Sequence, residues 1–177
     1  MISVITSEPS ETTNDMERFK NANTVCEILT CENNPFIDII VNNDKYMSQL
    51  WSFVAIDTAN ESPSDGESPD SSTHPSAPAL NPLLASFFTK VFLHLFTHKT
   101  DQVMDFLARQ EGPNDLVSVV LRHLNTSAIM DLIYKSWEYI NMDKKNPQNI
   151  TKYNDVSKFL PLVDLTNLIF YICLTDS

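Results

Sequence analysis

The sequence predicts an all-α fold of stacked helical repeats, armadillo- or HEAT-like, and three observations predict it. Glycine occurs only twice, at Gly66 and Gly112, whereas strand hairpins, phosphate loops and dinucleotide-binding turns lean on glycine for positive φ or close backbone approach. Apolar residues recur at the i, i+3, i+4, i+7 spacing of one helical face in segment after segment, and no segment offers a convincing strand. Near the start, three short helical segments joined by short turns fill roughly 40 positions, the size of one such repeat unit.

The opening Met1 to Thr6 (MISVIT) is expected to be the end of a helix whose beginning is missing, because so short an apolar run cannot bury itself. Ser7 to Asp15 is polar and reads as a loop. From about Lys20, Ala22, Cys26 and Leu29 share a helical face, Val25 and Ile28 widen it, and the helix is expected to stop near Asn33. Asn34 and Pro35 form an N-cap followed by the helical position where proline is harmless, launching a short helix through Phe36, Ile37, Ile39 and Ile40. Asp44 is the next expected cap, and Met47, Leu50, Trp51 and Val54 make the third apolar face.

Residues 57–79 (DTANESPSDGESPDSSTHPSAPA) differ in kind: they contain no Lys, no Arg and no large apolar residue. Such a stretch cannot offset its own ordering entropy, so one long disordered acidic loop is expected here. Ser62 and Ser68 each precede a proline, and Ser64 has Glu67 three positions on. All three are candidate phosphorylation sites, where added negative charge would alter how the loop meets a basic partner; an inert solvated loop is the plainer reading.

Leu80 to His98 (LNPLLASFFTKVFLHLFTH) repeats the Asn-Pro start. Leu80, Leu83, Leu84, Phe87, Phe88, Val91 and Leu95 lie at helical spacing, and with Phe92 and Phe96 the apolar arc spans about 220°. The polar remainder of Ser86, Thr89, Lys90 and Thr97 is narrow. This helix is therefore expected to lie inside the stack, packed on two or more sides. Thr100 is expected to cap a following helix with Val103, Phe106 and Leu107 buried, ended by Gly112-Pro113. Asn114 starts another with Leu116, Val117, Val120, Leu121 and Leu124 on one side. Thr126 or Ser127 caps a longer one through Ile129, Met130, Ile133, Trp137 and Ile140. Met142 to Ile150 reads as a polar connection, followed by a weaker helical pair near Val156 to Leu160 and Leu162 to Leu174. The expected organisation is a helical part at 1–56, the acidic insertion at 57–79 and a second helical part of the same domain at 80–177.

A formal charge of −11 and a pI near 4.6 argue against nucleic acid and anionic membrane surfaces, both of which call for basic patches. No signal peptide is visible at Met1 to Ile5, and the apolar tail Phe159 to Leu174 carries Pro161, Asp164 and Asn167 and is short for a membrane span. Cys26, Cys31 and Cys173 form no even framework and lack metal or redox spacing, so reduced thiols and a cytoplasmic location, with the nucleus second, are expected. His94 and His98, at i and i+4, could chelate a metal from one helix face, but no acid follows in the HExxH manner; cationic groups at a helix C-terminus explain His98 and Lys99 better. Asp105 and Asp131 sit among apolar helical residues without a paired acid, and no Ser/His/Asp order stands in a strand-turn-helix context. The sequence thus nominates no catalytic residue, no cofactor and no metal.

Four strings carry a resemblance: CEILTC (Cys26 to Cys31), LWSF (Leu50 to Phe53), LNPLLASFFTKV (Leu80 to Val91) and NTSAIMDLIYK (Asn125 to Lys135). Together with Arg18-Phe19-Lys20 and Thr100 to Leu107, they closely resemble the SAPS domain of the regulatory subunits of protein phosphatase 6 and their fungal counterparts. The resemblance covers roughly residues 18–132. It implies a helical-repeat scaffold that binds the catalytic subunit of a type 6 serine/threonine phosphatase and directs it to substrates, alongside further scaffold or substrate proteins. It implies no catalytic residue in this chain, and it carries no phosphatase-contacting residue over. Against the family pattern, 57–79 looks like an insertion, the upstream part of the domain is missing, and the match is expected to fade beyond about Trp137. Apolar faces left open at both ends of a stack would make the chain marginally stable and prone to associate. A generic helical adaptor in signalling or vesicle traffic fits composition and periodicity equally well, and a third reading, an all-α hydrolase or metal enzyme, would require His94 and His98 as ligands.

Overall fold

The computed structural model describes residues 1–8, 15–32, 35–55 and 80–144, and among these every regular element is helical. The order is α1 (Ile2–Thr6), α2 (Asp15–Arg18), α3 (Lys20–Leu29), α4 (Phe36–Val41), α5 (Asp44–Trp51), α6 (Pro82–His98), α7 (Thr100–Ala108), a 3-10 turn at Gly112–Asn114, α8 (Leu116–Arg122) and α9 (Ser127–Lys144). The acidic stretch 57–79, its expected disorder and the expected helices beyond Val156 lie outside the described residues.

α6 is the inner helix that its wide apolar arc predicts. Its start is set locally: the Asn81 side chain accepts hydrogen bonds from the backbone amides of Leu83 (3.1 Å) and Leu84 (3.3 Å), and Pro82 occupies the first turn. It packs most extensively on α9, with α3, α7 and α1 against its other sides. Leu84, Ala85, Phe87, Phe88, Val91, Phe92, Leu95 and Phe96 are all buried. Phe88 stacks on Phe92 at 5.4 Å between ring centroids, Phe53 approaches Phe88 at 5.5 Å, and Trp51 approaches Phe92 at 5.6 Å. Each such fully buried side chain contributes about 1.5–3 kcal/mol through removal of apolar surface from water. Two positions depart from the wheel. Thr89, expected on the polar side, is buried because α9 covers it, and its hydroxyl donates to the Ala128 carbonyl at 2.9 Å. Leu83, expected on the apolar side, remains 43 % exposed at the first turn, before α6 enters the stack.

The elements on either side of residues 56–79 share one core. Ile5, Cys26, Leu29, Leu50 and Val54 belong to the same buried cluster as Phe88, Leu95, Val103 and Ile129. Polar contacts cross the same divide. Trp51 Nε1 donates to the Asn114 carbonyl at 3.0 Å, His123 Nε2 donates to the Val54 carbonyl at 2.9 Å, and Arg122 donates to that carbonyl as well. Three ion pairs at the surface do likewise: Lys90 with Glu27, Lys99 with Asp38, and Arg109 with Asp44.

Several local expectations are corrected. α1 does bury itself after all: Ile2 and Ile5 are covered by α3, α5 and α6. α3 ends at Leu29, well before Asn33, and Ile28, Phe36 and Ile39 face outward because α3 and α4 are covered on one side only. The expected cap at Asn34 lies outside the described residues. Caps shift by one residue where an adjacent side chain reaches the free amides instead. Asn43, not Asp44, accepts from the Lys45 amide at 3.0 Å, and Asp115, not Asn114, accepts from the Ser118 amide at 2.7 Å. Thr100 is not a cap: it is the first helical residue of α7, and its hydroxyl donates back to the Phe96 carbonyl of α6. α7 ends at Ala108, before Gly112, whose φ of +65° turns the chain into the 3-10 segment instead. On α8, Val119 and Val120 are buried while Leu121 is 45 % exposed; on α9, Leu132 joins Ile129 and Ile133 in the interior.

Candidate interaction surface

A groove of about 500 Å³ runs between α6 and α9, closed at one end by Thr30 after α3. α6 supplies Ser86, Thr89, Lys90, Leu93, His94 and Thr97; α9 supplies Ala128, Asp131 and Lys135. The groove follows the narrow polar arc of α6, where Ser86, Thr89 and Thr97 recur over about three turns beside α9 without filling the space between the helices. The Thr89 hydroxyl bonded to Ala128 fixes the spacing of the two helices at the floor.

Charge is distributed unevenly around the rim. Lys90 is tied to Glu27 at 2.6 Å, and this hydrogen bond is the main reason its ammonium is held above the usual lysine range; partial burial opposes it. Asp131 and Lys135, one turn apart on α9, are both exposed and have no ion-pair partner among the described residues. His94 is pushed below the ordinary histidine range, first by burial and then by the neighbouring His98. The Nε2 atom of His94 is buried and makes no hydrogen bond. The groove thus carries charges of both signs beside hydroxyl groups.

The residues nominated by the sequence fall as follows. The rings of His94 and His98 lie 4.2 Å apart, and His98 Nδ1 donates to the His94 carbonyl at 2.8 Å. Among the described residues no group of three or more His, Cys, Asp and Glu side chains is placed to hold a metal ion. Cys26 is buried, and burial is the main cause that pushes its thiol up; Cys31 is exposed. Among the described residues no helix is long and apolar enough to cross a membrane. Ser62, Ser64 and Ser68 lie outside the described residues. Sequence reasoning marked the α6 side of the groove through Ser86, Lys90 and Thr97, but not the α9 side. The Asp131/Lys135 pair at i, i+4 was its only signal.

No family model matches the chain, and no solved structure matches it. Curated proteins do. Serine/threonine-protein phosphatase 6 regulatory subunit 2 of Homo sapiens is 36 % identical over 135 residues, 76 % of this chain and 12 % of that protein. Regulatory subunit 3 of Gallus gallus is 30 % identical over 167 residues, 94 % of this chain and 16 % of that protein. Extragenic suppressor of kinetochore protein 1 of Schizosaccharomyces pombe is 35 % identical over 120 residues, 68 % of this chain and 11 % of that protein. The chain thus spans a small fraction of the length of the curated relatives it matches. A match of 167 residues in a chain of 177 reaches at least residue 167, past Trp137. Likeness of this extent, shared with several regulatory subunits by an all-helical chain, shows that the chain belongs to the SAPS-domain family of protein phosphatase 6 regulatory subunits.

Proposed function

We propose that the chain serves as part of a non-catalytic scaffold that binds the catalytic subunit of a type 6 serine/threonine phosphatase and directs its activity. The observation that carries this reading is the likeness to phosphatase 6 regulatory subunits over 76 % to 94 % of the chain. The two helical parts, 1–56 and 80–177, act in it as one unit, in the cytoplasm and secondarily in the nucleus. The α6–α9 groove is the surface we assign to partner contact, because Asp131 and Lys135 stand at its rim without ion-pair partners among the described residues. The phosphoryl chemistry belongs to the partner.

The test is retention of purified type 6 catalytic subunit by the immobilised chain, set in place of the matching segment of the human subunit 2. The unaltered chimera is expected to retain it, and Asp131→Lys with Lys135→Glu to weaken retention with helicity unchanged. A chimera that folds yet retains no catalytic subunit defeats the reading; retention undiminished by the double substitution moves the contact away from this groove.

A further inference from the structure

Residues 112–123 form an internally braced unit. Asp115 caps α8, its carboxylate accepting from the Ser118 amide at 2.7 Å and from the Ser118 hydroxyl at 3.1 Å. Arg122, in the last turn, donates to the Pro113 carbonyl and so ties the end of α8 back to the 3-10 turn before it. Gly112, at a φ of +65° that disfavours any side chain, marks one boundary of the unit, and the turn at 124–126 marks the other.

The unit is fastened along one edge. Trp51 Nε1 donates to the Asn114 carbonyl, while His123 Nε2 and Arg122 both donate to the Val54 carbonyl. These partners stand at the end of α5 and just beyond it. Behind the unit the packing is incomplete. Leu116, Val119 and Val120 of α8 line an apolar cavity of about 20 Å³ together with Phe88, Phe92 and Phe96 of α6. Atoms that line such a void forfeit part of their dispersion attraction, so α8 is held less firmly here than close packing would hold it.

The fastening responds to acid through its make-up. His123 is 6 % exposed, Arg122 is the charged group that acts on its ring, and among the described residues both side chains bond only to carbonyls. A proton on His123 sets two cations against one carbonyl with no carboxylate to compensate. Burial first, and Arg122 with it, hold the imidazole below the ordinary histidine range against the pull of the Val54 bond. Once lifted, the ring regains its ordinary affinity for the proton. The fastening is therefore complete above the ordinary value of 6.5 and weakens as the pH falls below it.

We infer that residues 112–123 are a lid that swings as one unit about Gly112 and the 124–126 turn, uncovering the aromatic wall of α6, with the bonds to Val54 as its acid-released latch. The inference concerns a motion of the chain itself and does not depend on phosphatase binding.

Amide exchange of the full chain, followed by NMR and expressed as protection factors, tests it. At about pH 7.5 the amides of Val119, Leu121 and His123 are expected to be at least about tenfold less protected than those of Phe92 and Leu95 in α6, with a weaker dependence on urea. Between about pH 7.5 and 5.5 their protection should fall further relative to α6, by up to about tenfold. The indole N–H of Trp51, bonded to the other end of the unit, should follow the same acid response. His123→Gln, which keeps a donor for Val54, should abolish that response. Arg122→Ala, at a half-buried position, should lower α8 protection several-fold while α6 stays as protected as before. Equal protection and equal urea dependence in α8 and α6 overturn the inference, because α8 then opens only with the whole chain. So does a ratio of the two that stays constant with pH, an acid response that persists in His123→Gln, or a loss in Arg122→Ala that α6 shares in full. An indole N–H indifferent to acid overturns it too, since α8 then frays alone.

Discussion

At the scale of single residues, burial and partner geometry decide which side chains matter. Phe88 is 1 % exposed between Phe53 and Phe92, so Phe88→Ala should lower stability by about 3–5 kcal/mol and Phe88→Asp should unfold the chain. Lys90 is two residues on, on the far side of the helix, and half exposed, and its pair with Glu27 is open to water. Lys90→Glu should therefore change stability by less than about 1 kcal/mol, measured by urea denaturation. His123 gives the pH dependence. Its ring is buried, and desolvation outweighs the hydrogen bond to Val54 that favours protonation; the nearby Arg122 charge acts with desolvation. Its pKa is lowered on folding, as is that of His94, so the unfolded chain binds the proton more readily. Stability from these two rings is complete above the ordinary histidine value of 6.5 and is lost as the pH falls below it. Urea midpoints should drop between about pH 7.5 and 5.5, and His123→Gln, which keeps a donor for Val54, should flatten the drop.

At the scale of elements, the caps are the local signals that stop and start helices. Asn81→Ala removes the acceptor for two amides at the start of α6 and should cost about 1 kcal/mol; Asp115→Ala, at the start of α8, should cost a similar amount. Thermal melts of both variants, expected with unchanged helicity at low temperature, check this. Here the sequence was most readable and also most often off by one. Asn81-Pro82 identifies its helix start because proline leaves a single register open. Asp44 and Asn114 misled because an equally good capping side chain stood next to each, and only the backbone turn decides between neighbours. Thr89 shows the other limit. Helical spacing assigns it to the polar side, but burial depends on where α9 lies, and a neighbour's position is not written into one helix's own pattern.

At the scale of the whole molecule, the helices before and after residues 56–79 form one core, with Cys26 and Ile5 in the same cluster as Phe88 and Ile129. A protease site placed at Ser71 should therefore yield two pieces that co-elute under native conditions and separate only in denaturant. Separation on simple dilution would mean that the two parts are independent. The all-helical class and the inner place of α6 were legible in the sequence, because two glycines and a 220°-wide apolar arc leave little else open to the chain. The groove was not, since it is made by two helices whose polar residues look unremarkable in each separately. Exposed Val4, Ile28, Phe36 and Ile39 on α1, α3 and α4 leave apolar surface uncovered. Sedimentation of the chain should accordingly show association that increases with concentration and decreases for Ile39→Glu.

The carbonyl of Val54, held by both His123 and Arg122, has a consequence for how such a chain can change over generations. With Val54 fastened at one side and Asn81 committed to its cap at the other, the ends of the intervening stretch are fixed by the fold and not by the stretch itself. Doubling the length of a chain between two fixed points costs only about 0.6 kcal/mol of closure entropy. Descendants can therefore lengthen or shorten the stretch between these anchors while inheriting the same core.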